Sequence, residues 1–372
     1  MMGRVTGPDD EVFLAMSEQP PTRKAGVMAA SGLLTSLLIA VLTVMPSPYA
    51  IEAPGPTYDT LASADGTPLV EIDGASTYDS TGELRLTTVT FSPAGTQPFT
   101  VGRVIEAFFS PQKTVVPEEA VYGTSTEQEQ EAQASAEQWI SSQESATVSA
   151  LEASGTVVPS TMTVAEVIDT SNAKDLLLVG DVLTAADGEP LVSYSDLTTF
   201  LAAREPGDSV TMTVNRADAS VDVTFDLIAS DDGRALMGIS IDPDFELPVQ
   251  VTVGIDKVGG PSAGLMFALA IMDKLSPEDE LQGAKVAGTG EIYVDGQVYP
   301  IGGIQYKLAG ARAAGAEYFL APVENCPDVV GHIPEGLSVY AVNDLADAYA
   351  AIVAIGQHDT DSLPTCSATT NQ

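Results

Sequence analysis

The sequence predicts an α+β protein with three parts: an apolar N-terminal helix, a β-rich module in the middle, and an α/β domain towards the C terminus. Three observations predict this architecture. An uncharged run stands near the N terminus, short alternating strands begin after Gly155, and a strand, a glycine-rich turn and a long apolar helix follow from Val251. With 44% hydrophobic and 18% charged residues, the 372-residue chain can bury a core.

The charge balance excludes some classes of partner. The chain has 52 Asp or Glu residues and 15 Lys or Arg residues, which gives a net charge of −37. Such a chain repels polyanions, so we expect no nucleic-acid partner. Two cysteines cannot complete a four-ligand zinc site, and the two histidines lack HExxH spacing, so we predict neither a metal nor a cofactor.

The run from Ala25 to Met45 is predicted to span a membrane, because a helix rising 1.5 Å per residue crosses the roughly 30 Å hydrocarbon layer over that length. Arg23 and Lys24 precede it, and no basic residue follows before Arg85. The positive-inside rule then predicts a cytoplasmic N terminus and an extracytoplasmic remainder. A signal peptide cut near Ala50 is the alternative.

Both cysteines lie on the oxidising side of the membrane under that topology. A disulfide between Cys326 and Cys366 would tie the polar C-terminal tail to the body of the domain. Two free thiols are the alternative.

The segment after the membrane helix is predicted to be an extended stalk, because its four prolines fix φ and remove donors. From Glu83 to Phe91, alternating β-branched residues predict a strand. The run from Thr126 to Ala153 has no Gly or Pro and predicts one or two amphipathic helices. Their expected buried side chains are Trp139, Ile140, Val148 and Leu151.

The β-rich block contains several alternating strands and one helical pattern, YSDLTTFLAAREPGD. Three of its segments, VGDVLTAADGEPL, SDL and EPGDSVTMTVNR, resemble a PDZ domain of the bacterial, protease-associated kind. The resemblance implies a module that adds an extended peptide to a sheet edge, with a peptide-binding loop near residues 171–178. A β-rich spacer without a ligand is the alternative.

A nucleophile is indicated where the glycine turn DKVGG leads into the apolar helix PSAGLMFALAIMDKL. Ser262 stands at this junction, where unpaired amides and the positive end of the helix dipole would surround its hydroxyl. Such a position suits an exposed nucleophile beside an anion-binding pocket. A serine that merely caps the helix is the alternative.

A base is indicated by the segment AGTGEIYVDGQVYPIGGIQYKLAGARAAG, which runs from Ala287 to Gly315. A hairpin turning at Asp295 and Gly296 leads through two glycines into a helix that bears Lys307. Apolar neighbours would partly desolvate the ammonium and lower its pKa, so that a neutral amine can take a proton from a hydroxyl. Lysine can replace histidine beside a nucleophilic serine. A snorkelling surface lysine is the alternative.

Together, GGPSAG at Gly259–Gly264 and TGEIYVDGQVYPIGGIQYK at Thr289–Lys307 resemble the two motifs of the proteolytic domain of Lon peptidases, in the same order. The resemblance implies that Ser262 is the nucleophile, that Lys307 is the general base and that Thr289 orients the amine. It also implies a turn that donates amides to the oxyanion, formed with Gly260, Pro261 and Ala263.

The resemblance implies an organisation as well. It covers about Leu236–Val353, and the segments SQESATVSAL and ELRLTTV are similar to earlier elements of the Lon domain, which would make the PDZ-like block an insertion. No GxxxxGK[ST] motif occurs in the sequence, so we expect no ATPase in this chain. The predicted parts are a cytoplasmic tail (1–24), a transmembrane helix (25–45), a stalk and strand/helix region that is either separate or the first part of the peptidase domain (46–154), a PDZ-like domain (155–232), a Lon-type domain (233–356) and a C-terminal tail (357–372).

The whole layout looks like the membrane-anchored, secreted Lon-like PDZ peptidases of Gram-positive bacteria. This resemblance implies an ATP-independent serine endopeptidase in the cell membrane that faces outward and cleaves unstructured protein segments. The implied partners are protein or peptide substrates, the lipid bilayer and further copies of the chain in a homo-oligomer. An inactive PDZ-containing scaffold protein is the main alternative, and a sugar-kinase-like phosphate site at GGPSAGL is the weakest.

Overall fold

The computed structural model describes residues 23–64, 67–91, 100–110, 112–117, 125–230, 233–255 and 258–366. Nearly all of the predicted cytoplasmic tail and the end of the C-terminal tail lie outside the described residues. The helices are α1 (Arg23–Val44), α2 (Val101–Phe108), α3 (Ser125–Ala153), α4 (Tyr194–Ala202), α5 (Gly264–Leu275), α6 (Ile304–Ala313), α7 (Cys326–Val329) and α8 (Leu345–Gly356).

The strands fall into an early, a middle and a late group. The early strands are β1 (Tyr49–Asp59), β2 (Ser63–Ala64), β3 (Thr67–Pro68), β4 (Val70–Asp73), β5 (Glu83–Phe91) and β6 (Thr114–Pro117). The middle strands are β7 (Ser160–Val167), β8 (Val182–Ala186), β9 (Glu189–Pro190), β10 (Ser209–Arg216), β11 (Ala219–Asp226), β12 (Ile228–Ala229), β13 (Ala235–Leu236) and β14 (Ile239–Phe245). The late strands are β15 (Gln250–Val253), β16 (Lys285–Gly288), β17 (Glu291–Ile292), β18 (Val298–Tyr299), β19 (Tyr318–Pro322) and β20 (Ser338–Val342).

Helix α1 covers the predicted membrane span. Within the described part of the chain, it is the one helix that is both long and apolar enough to cross a membrane, and no part of that span is buried in the protein. Length and composition alone support this statement, and a signal sequence would satisfy them as well.

A six-stranded sheet supports the candidate site. Its strand order is β20-β19-β16-β5-β1-β6, with parallel pairing from β20 to β5 and antiparallel pairing of β1 with β5 and β6. Strands from before and after the β-rich module therefore complete one sheet. Helix α5 packs in the core beside it, and its residues from Gly264 to Asp273 are all buried.

The predicted stalk is extended but is not free. Strand β1 covers Pro54 and Pro56, and it pairs with β5 on one side and β6 on the other. Its register with β5 shifts between Pro54 and Thr57, which is where a strand accommodates residues that lack an N–H. The segment is thus extended as predicted, but from Tyr49 onward it belongs to a sheet and does not form a separate stalk.

Helix α3 is one continuous helix over the range predicted for one or two. Trp139, Val148 and Leu151 are buried as predicted, whereas Ile140 is 68% exposed. Each residue turns about 100° around a helix, so Ile140 points away from the face on which its neighbour Trp139 contacts Phe267. The prediction for Ile140 was wrong.

The β-rich module has its own sheet and its own core. The sheet order is β11-β10-β8-β7-β14, with β9 paired to β8. Helix α4 begins with a capping box, in which Ser193 accepts from the Asp196 amide and Asp196 accepts from the Ser193 amide. The module therefore packs around a second hydrophobic cluster, which includes Met162, Leu183 and Met212.

Candidate active site

The turn before α5 holds Ser262 by its backbone. The Ser262 carbonyl accepts hydrogen bonds from the Gly290 amide at 3.0 Å and from the Thr289 hydroxyl at 2.9 Å. Ala263 is the residue that caps α5, and it makes no side-chain capping bond. The Ser262 hydroxyl is therefore not used as a cap, in contrast to the alternative considered from the sequence.

The structure brings three predicted residues into contact. Lys307 Nζ lies 2.8 Å from Ser262 Oγ and 2.9 Å from Thr289 Oγ1. Thr289 is fully buried and Lys307 is 3% exposed, while Ser262 is half-buried. The amine is thus within hydrogen-bond reach of the hydroxyl, which is the first geometric requirement for a base and its nucleophile.

Burial sets the protonation of the amine. Loss of water around Lys307 lowers the pKa of its ammonium from 10.5 to about 7. No carboxylate pairs with it among the described residues, so nothing there holds the charged form in place. Near neutral pH a large fraction of the amine is therefore uncharged and able to accept a proton.

Helix α6 carries Lys307 next to a buried apolar cluster. Its residues Ile304, Leu308 and Ala311 belong to one buried cluster, and Lys307 lies beside them as the pattern predicted. The helix starts after Gly303, which has φ +70. A Cβ at Gly303 would lie 2.9 Å from the Val89 side chain, so glycine allows α6 to approach β5 closely.

In the turn before α5, some backbone amides already donate a hydrogen bond and others do not. The Gly260 amide donates to the Ser135 carbonyl at 3.0 Å, and Pro261 has no N–H. The Ser262 and Ala263 amides have no partner among the described residues. Of the amides expected around Gly260 to Ala263 as oxyanion donors, these two are the ones that make no hydrogen bond within the described residues.

A cleft of about 570 Å³ opens at Ser262 and Lys307. Its walls are mixed: Tyr58, Phe91 and Val258 contribute apolar surface, and Glu52 contributes a carboxylate. The Tyr306 hydroxyl donates to Glu52 at 3.0 Å, and burial raises the pKa of this phenol, so it stays protonated. The cleft can hold several side chains of an extended peptide.

One wall of the cleft is the edge of β5 beyond Leu86, which no strand in the described part of the chain covers. Pairing with β16 ends at Leu86, and the next five residues, Thr87–Phe91, all line the cleft. Successive side chains of a strand point to opposite faces, so five consecutive lining residues mean that the strand presents its edge. Unpaired backbone groups at such an edge are available to an added strand.

Sequence reasoning missed the contribution of α3 to the turn. Ser142 Oγ donates to the Pro261 carbonyl at 3.0 Å, and Ser135 provides the carbonyl that binds the Gly260 amide. Both serines lie in a helix rich in Ser, Glu and Ala, a composition that is typical of a solvent-exposed surface. Only the packing of α3 against α5 gives them this role.

The predicted PDZ-like loop near residues 171–178 is anchored by three buried residues, and its other five residues are exposed. Ala173 and Leu177 are buried in the module core, and Ser171 Oγ donates to the Met237 carbonyl at 2.6 Å. Among the described residues, β11 and β14 are the two edge strands of this sheet, and β14 lies next to the loop, since the Ile168 amide donates to the Gly238 carbonyl at 3.1 Å.

Two further predicted features lie away from the dyad. Cys326 and Cys366 are joined in a disulfide, and Cys366 packs against the cluster that contains Leu308. Within the described ranges, no group of three or more His, Cys, Asp and Glu side chains is arranged to hold a metal ion.

Comparison with known proteins identifies two domains in the chain. Residues 218–354 match the Lon protease (S16) C-terminal proteolytic domain, and residues 139–227 match the PDZ domain. A Lon protease of Salinispora arenicola is 29% identical over 194 residues, which cover 50% of this chain and 23% of that protein. Lon protease 1 of Sorangium cellulosum is 36% identical over 108 residues, which cover 28% of this chain and 13% of that protein.

The chain thus spans between about an eighth and a quarter of the length of these relatives. The PDZ domain of an SdrC-like protein from Listeria monocytogenes is 25% identical, covers 22% of this chain and 85% of that chain, and has a TM-score of 0.21. The chain contains a Lon protease C-terminal proteolytic domain together with a PDZ domain.

Proposed function

We propose that the protein is an ATP-independent serine endopeptidase with a Ser262–Lys307 dyad, which is anchored in the cell membrane and faces outward. The single observation that carries the proposal is the 2.8 Å approach of a desolvated lysine amine to the Ser262 hydroxyl. The matched Lon proteolytic domain supports peptide-bond hydrolysis as the reaction. The substrates are protein segments without stable structure.

In the acylation step, neutral Lys307 takes the hydroxyl proton while Ser262 Oγ attacks the carbonyl carbon of the scissile peptide. The Thr289 hydroxyl holds the amine in position by its 2.9 Å contact. The carbonyl oxygen gains negative charge and is stabilised by the Ser262 and Ala263 amides and by the positive end of α5. When the C–N bond breaks, the leaving amine receives the proton from the Lys307 ammonium.

Deacylation repeats this chemistry with water. Lys307, neutral again, takes one proton from a water molecule, whose oxygen attacks the ester carbon. The Ser262 oxygen leaves and regains the proton from the ammonium. One water is consumed for each peptide bond, and the dyad returns to its starting state without nucleotide hydrolysis.

The substrate class follows from the cleft. An extended segment can add to the free edge of β5 at Thr87–Phe91 and place its carbonyl at Ser262, whereas a folded domain cannot enter a cleft of about 570 Å³. The sequence contains no P-loop motif that would drive unfolding. The PDZ domain, with the open edge of β14, would hold such segments near the cleft.

The outward orientation rests on charge and on cysteine chemistry. Arg23 and Lys24 precede the apolar span and no basic residue follows before Arg85, which favours a cytoplasmic N terminus. The disulfide between Cys326 and Cys366 is the state expected in an oxidising compartment. Assembly into a homo-oligomer remains part of the proposal, by analogy with Lon-type rings.

The test is hydrolysis of casein, a flexible protein, by purified variants without ATP. We expect Ser262→Ala and Lys307→Ala each to abolish cleavage, because each removes one half of the dyad. Ser338→Ala and Lys285→Ala are matched controls on the exposed surface of the Lon-type domain, neither of which lines the cleft, and both should cleave normally. Undiminished cleavage by both dyad variants would exclude Ser262 and Lys307 as the catalytic residues. A wild-type protein that binds peptides without cleaving them would favour the scaffold function.

A further inference from the structure

Helix α2 has an apolar surface that the fold does not use. Ala107 is the residue by which it is buried in the body of the protein, while Ile105, Phe108 and Phe109 are 48%, 78% and 81% exposed. The two phenylalanine rings contact each other edge to face, with centroids 6.0 Å apart. Exposing two neighbouring aromatic side chains to water costs free energy. Such an exposed apolar surface indicates that it binds an apolar partner.

The position of α2 indicates which partner this is. The Val101 amide donates to the Met45 carbonyl at 2.9 Å, and Pro46 pairs with Thr100. A Cβ at Gly102 would lie 3.2 Å from the Thr43 Cα. Helix α2 therefore starts at the C-terminal end of α1, so its exposed apolar side chains continue the apolar surface of the membrane span.

We propose that α2 lies in the membrane–water interface and inserts Phe108 and Phe109 at the level of the lipid headgroups, on the side of the membrane where α1 ends. This proposal rests on the membrane anchor in the proposed function. Aromatic side chains favour that depth, and a helix with one apolar face binds there parallel to the membrane.

The attraction to lipid is apolar rather than electrostatic. Helix α2 carries one basic and one acidic residue, Arg103 and Glu106, and Glu106 also pairs with Lys113 at 3.2 Å, while the chain as a whole carries a net charge of −37. An anionic membrane therefore repels the protein body, and the small local charge of α2 offsets little of that repulsion. We expect insertion of α2 to be equally strong in zwitterionic and anionic bilayers.

Insertion of α2 also determines where the cleft lies. Six residues separate Met45 from Glu52, which lines the cleft, and an extended chain covers that span in about 23 Å. The catalytic cleft is thereby held close to the bilayer. The substrates that reach it most readily are unstructured segments next to the membrane in other membrane proteins.

Tryptophan fluorescence in liposomes with brominated lipids tests the insertion, with the full chain. Phe109→Trp is the probe, and Leu37→Trp in α1 reports whether the anchor is inserted. Val179→Trp, at a position 71% exposed in the PDZ domain, is the surface control, and buried Trp139 gives the baseline. We expect blue-shifted and strongly quenched emission from Phe109→Trp and Leu37→Trp, but not from Val179→Trp.

The outcomes separate the two proposals. If Leu37→Trp is quenched and Phe109→Trp is no more quenched than Val179→Trp, α2 does not bind lipid although the anchor does. If Leu37→Trp is not quenched, the anchor of the proposed function is lost. A blue shift of Phe109→Trp that grows with protein concentration and is insensitive to bromine would instead assign α2 to a contact between protein copies.

A functional readout is independent of the probe. Replacing both residues, Phe108→Ser with Phe109→Ser, should slow cleavage of a bilayer-anchored flexible substrate by roughly tenfold, because the apolar burial that holds the cleft at the surface is lost. Cleavage of soluble casein should not change. Replacing the same residues by Phe108→Leu with Phe109→Leu keeps apolar side chains and should restore the rate on the anchored substrate, whereas equal slowing of both substrates would contradict the role in lipid binding.

Discussion

At the scale of single residues, the candidate site depends on a lysine that has no acidic partner among the described residues. Lys307 is 3% exposed, and its polar contacts within those residues are two hydroxyls, those of Ser262 and Thr289. Burial without a counter-charge lowers the pKa of the amine, which is what a base acting on a hydroxyl requires. A nearby carboxylate would have raised the pKa and kept the amine protonated.

The pH dependence of hydrolysis should report this pKa. The amine is protonated below about pH 7 and neutral above it, so kcat/KM should rise with pH through about 7 and then level off. The measurement is kcat/KM for a fluorogenic peptide over the neutral range. A rate that is flat with pH, with the fold intact by circular dichroism, would count against Lys307 as the base.

Thr289 should behave as a positioning residue. Thr289→Val keeps the shape but removes the hydroxyl that contacts the amine and the Ser262 carbonyl, so we expect kcat to fall by about 10–100-fold with little change in KM. Thr289→Ser restores a hydroxyl and should recover most of the rate. Equal losses in both variants would point to packing rather than to orientation.

At the scale of secondary-structure elements, α6 lies close to β5 at the point where α6 begins. Gly303→Ala would place a Cβ 2.9 Å from the Val89 side chain at a positive φ, so we expect a loss of about 1–3 kcal/mol in stability and reduced activity as α6 shifts Lys307. Gly302→Ala is the matched control, because no atom lies within 4 Å of its Cβ. Thermal unfolding of the two variants should separate them clearly.

The C-terminal end of α5 carries a carboxyl group that opposes folding at neutral pH. Asp273 is 2% exposed, and no hydrogen bond reaches its oxygens within the described residues. Burial, and next the charge of Glu280, raise its pKa from 3.8 to about 6. The folded state therefore holds a proton that the unfolded state releases between these values, and stability falls as pH rises through that window.

Asp273→Asn should remove this pH dependence. We expect its Tm to exceed that of the wild type by roughly 2–5 °C above pH 6 and to approach it as the pH falls towards 4. Asp279→Asn, at a nearby position, should change stability in the opposite direction. Hydrogen bonds, first of all from the Thr81 hydroxyl, lower the pKa of Asp279, so its charged form stabilises the fold. The Tm of this variant should fall at neutral pH, and a parallel response of the two variants would refute the assignment.

At the scale of the whole molecule, the disulfide closes the C-terminal part of the domain. It joins residues 40 positions apart, and the Ala341 amide donates to the Pro364 carbonyl, so the segment that leads to Cys366 lies along β20. Replacing both Cys326 and Cys366 with Ala should cost about 2–4 kcal/mol. Tm measured with and without reductant checks this: the wild type should become less stable on reduction, and the variant should not respond.

How far the sequence predicts the molecule depends on the range of the interactions involved. The β5 strand, the Asp295–Gly296 hairpin and the α6 helix follow from local periodicity and turn residues, and the structure confirms them. The proline-rich segment was extended as predicted, but its place inside a sheet depends on β5 and β6, which are distant in sequence. Pairing between strands that are distant in sequence does not produce a local sequence pattern from which it could be predicted.

By itself, the sequence determined which residues can do chemistry: a serine at a helix entrance, a lysine on an apolar helix and an uncharged segment long enough for a membrane. Only the tertiary structure decided that the amine lies 2.8 Å from the hydroxyl, that the Gly260 amide is already used by Ser135, and that β5 opens an edge into the cleft. The physical reason is that side-chain type and periodicity are local properties. Desolvation and contact instead depend on packing between segments far apart in the chain.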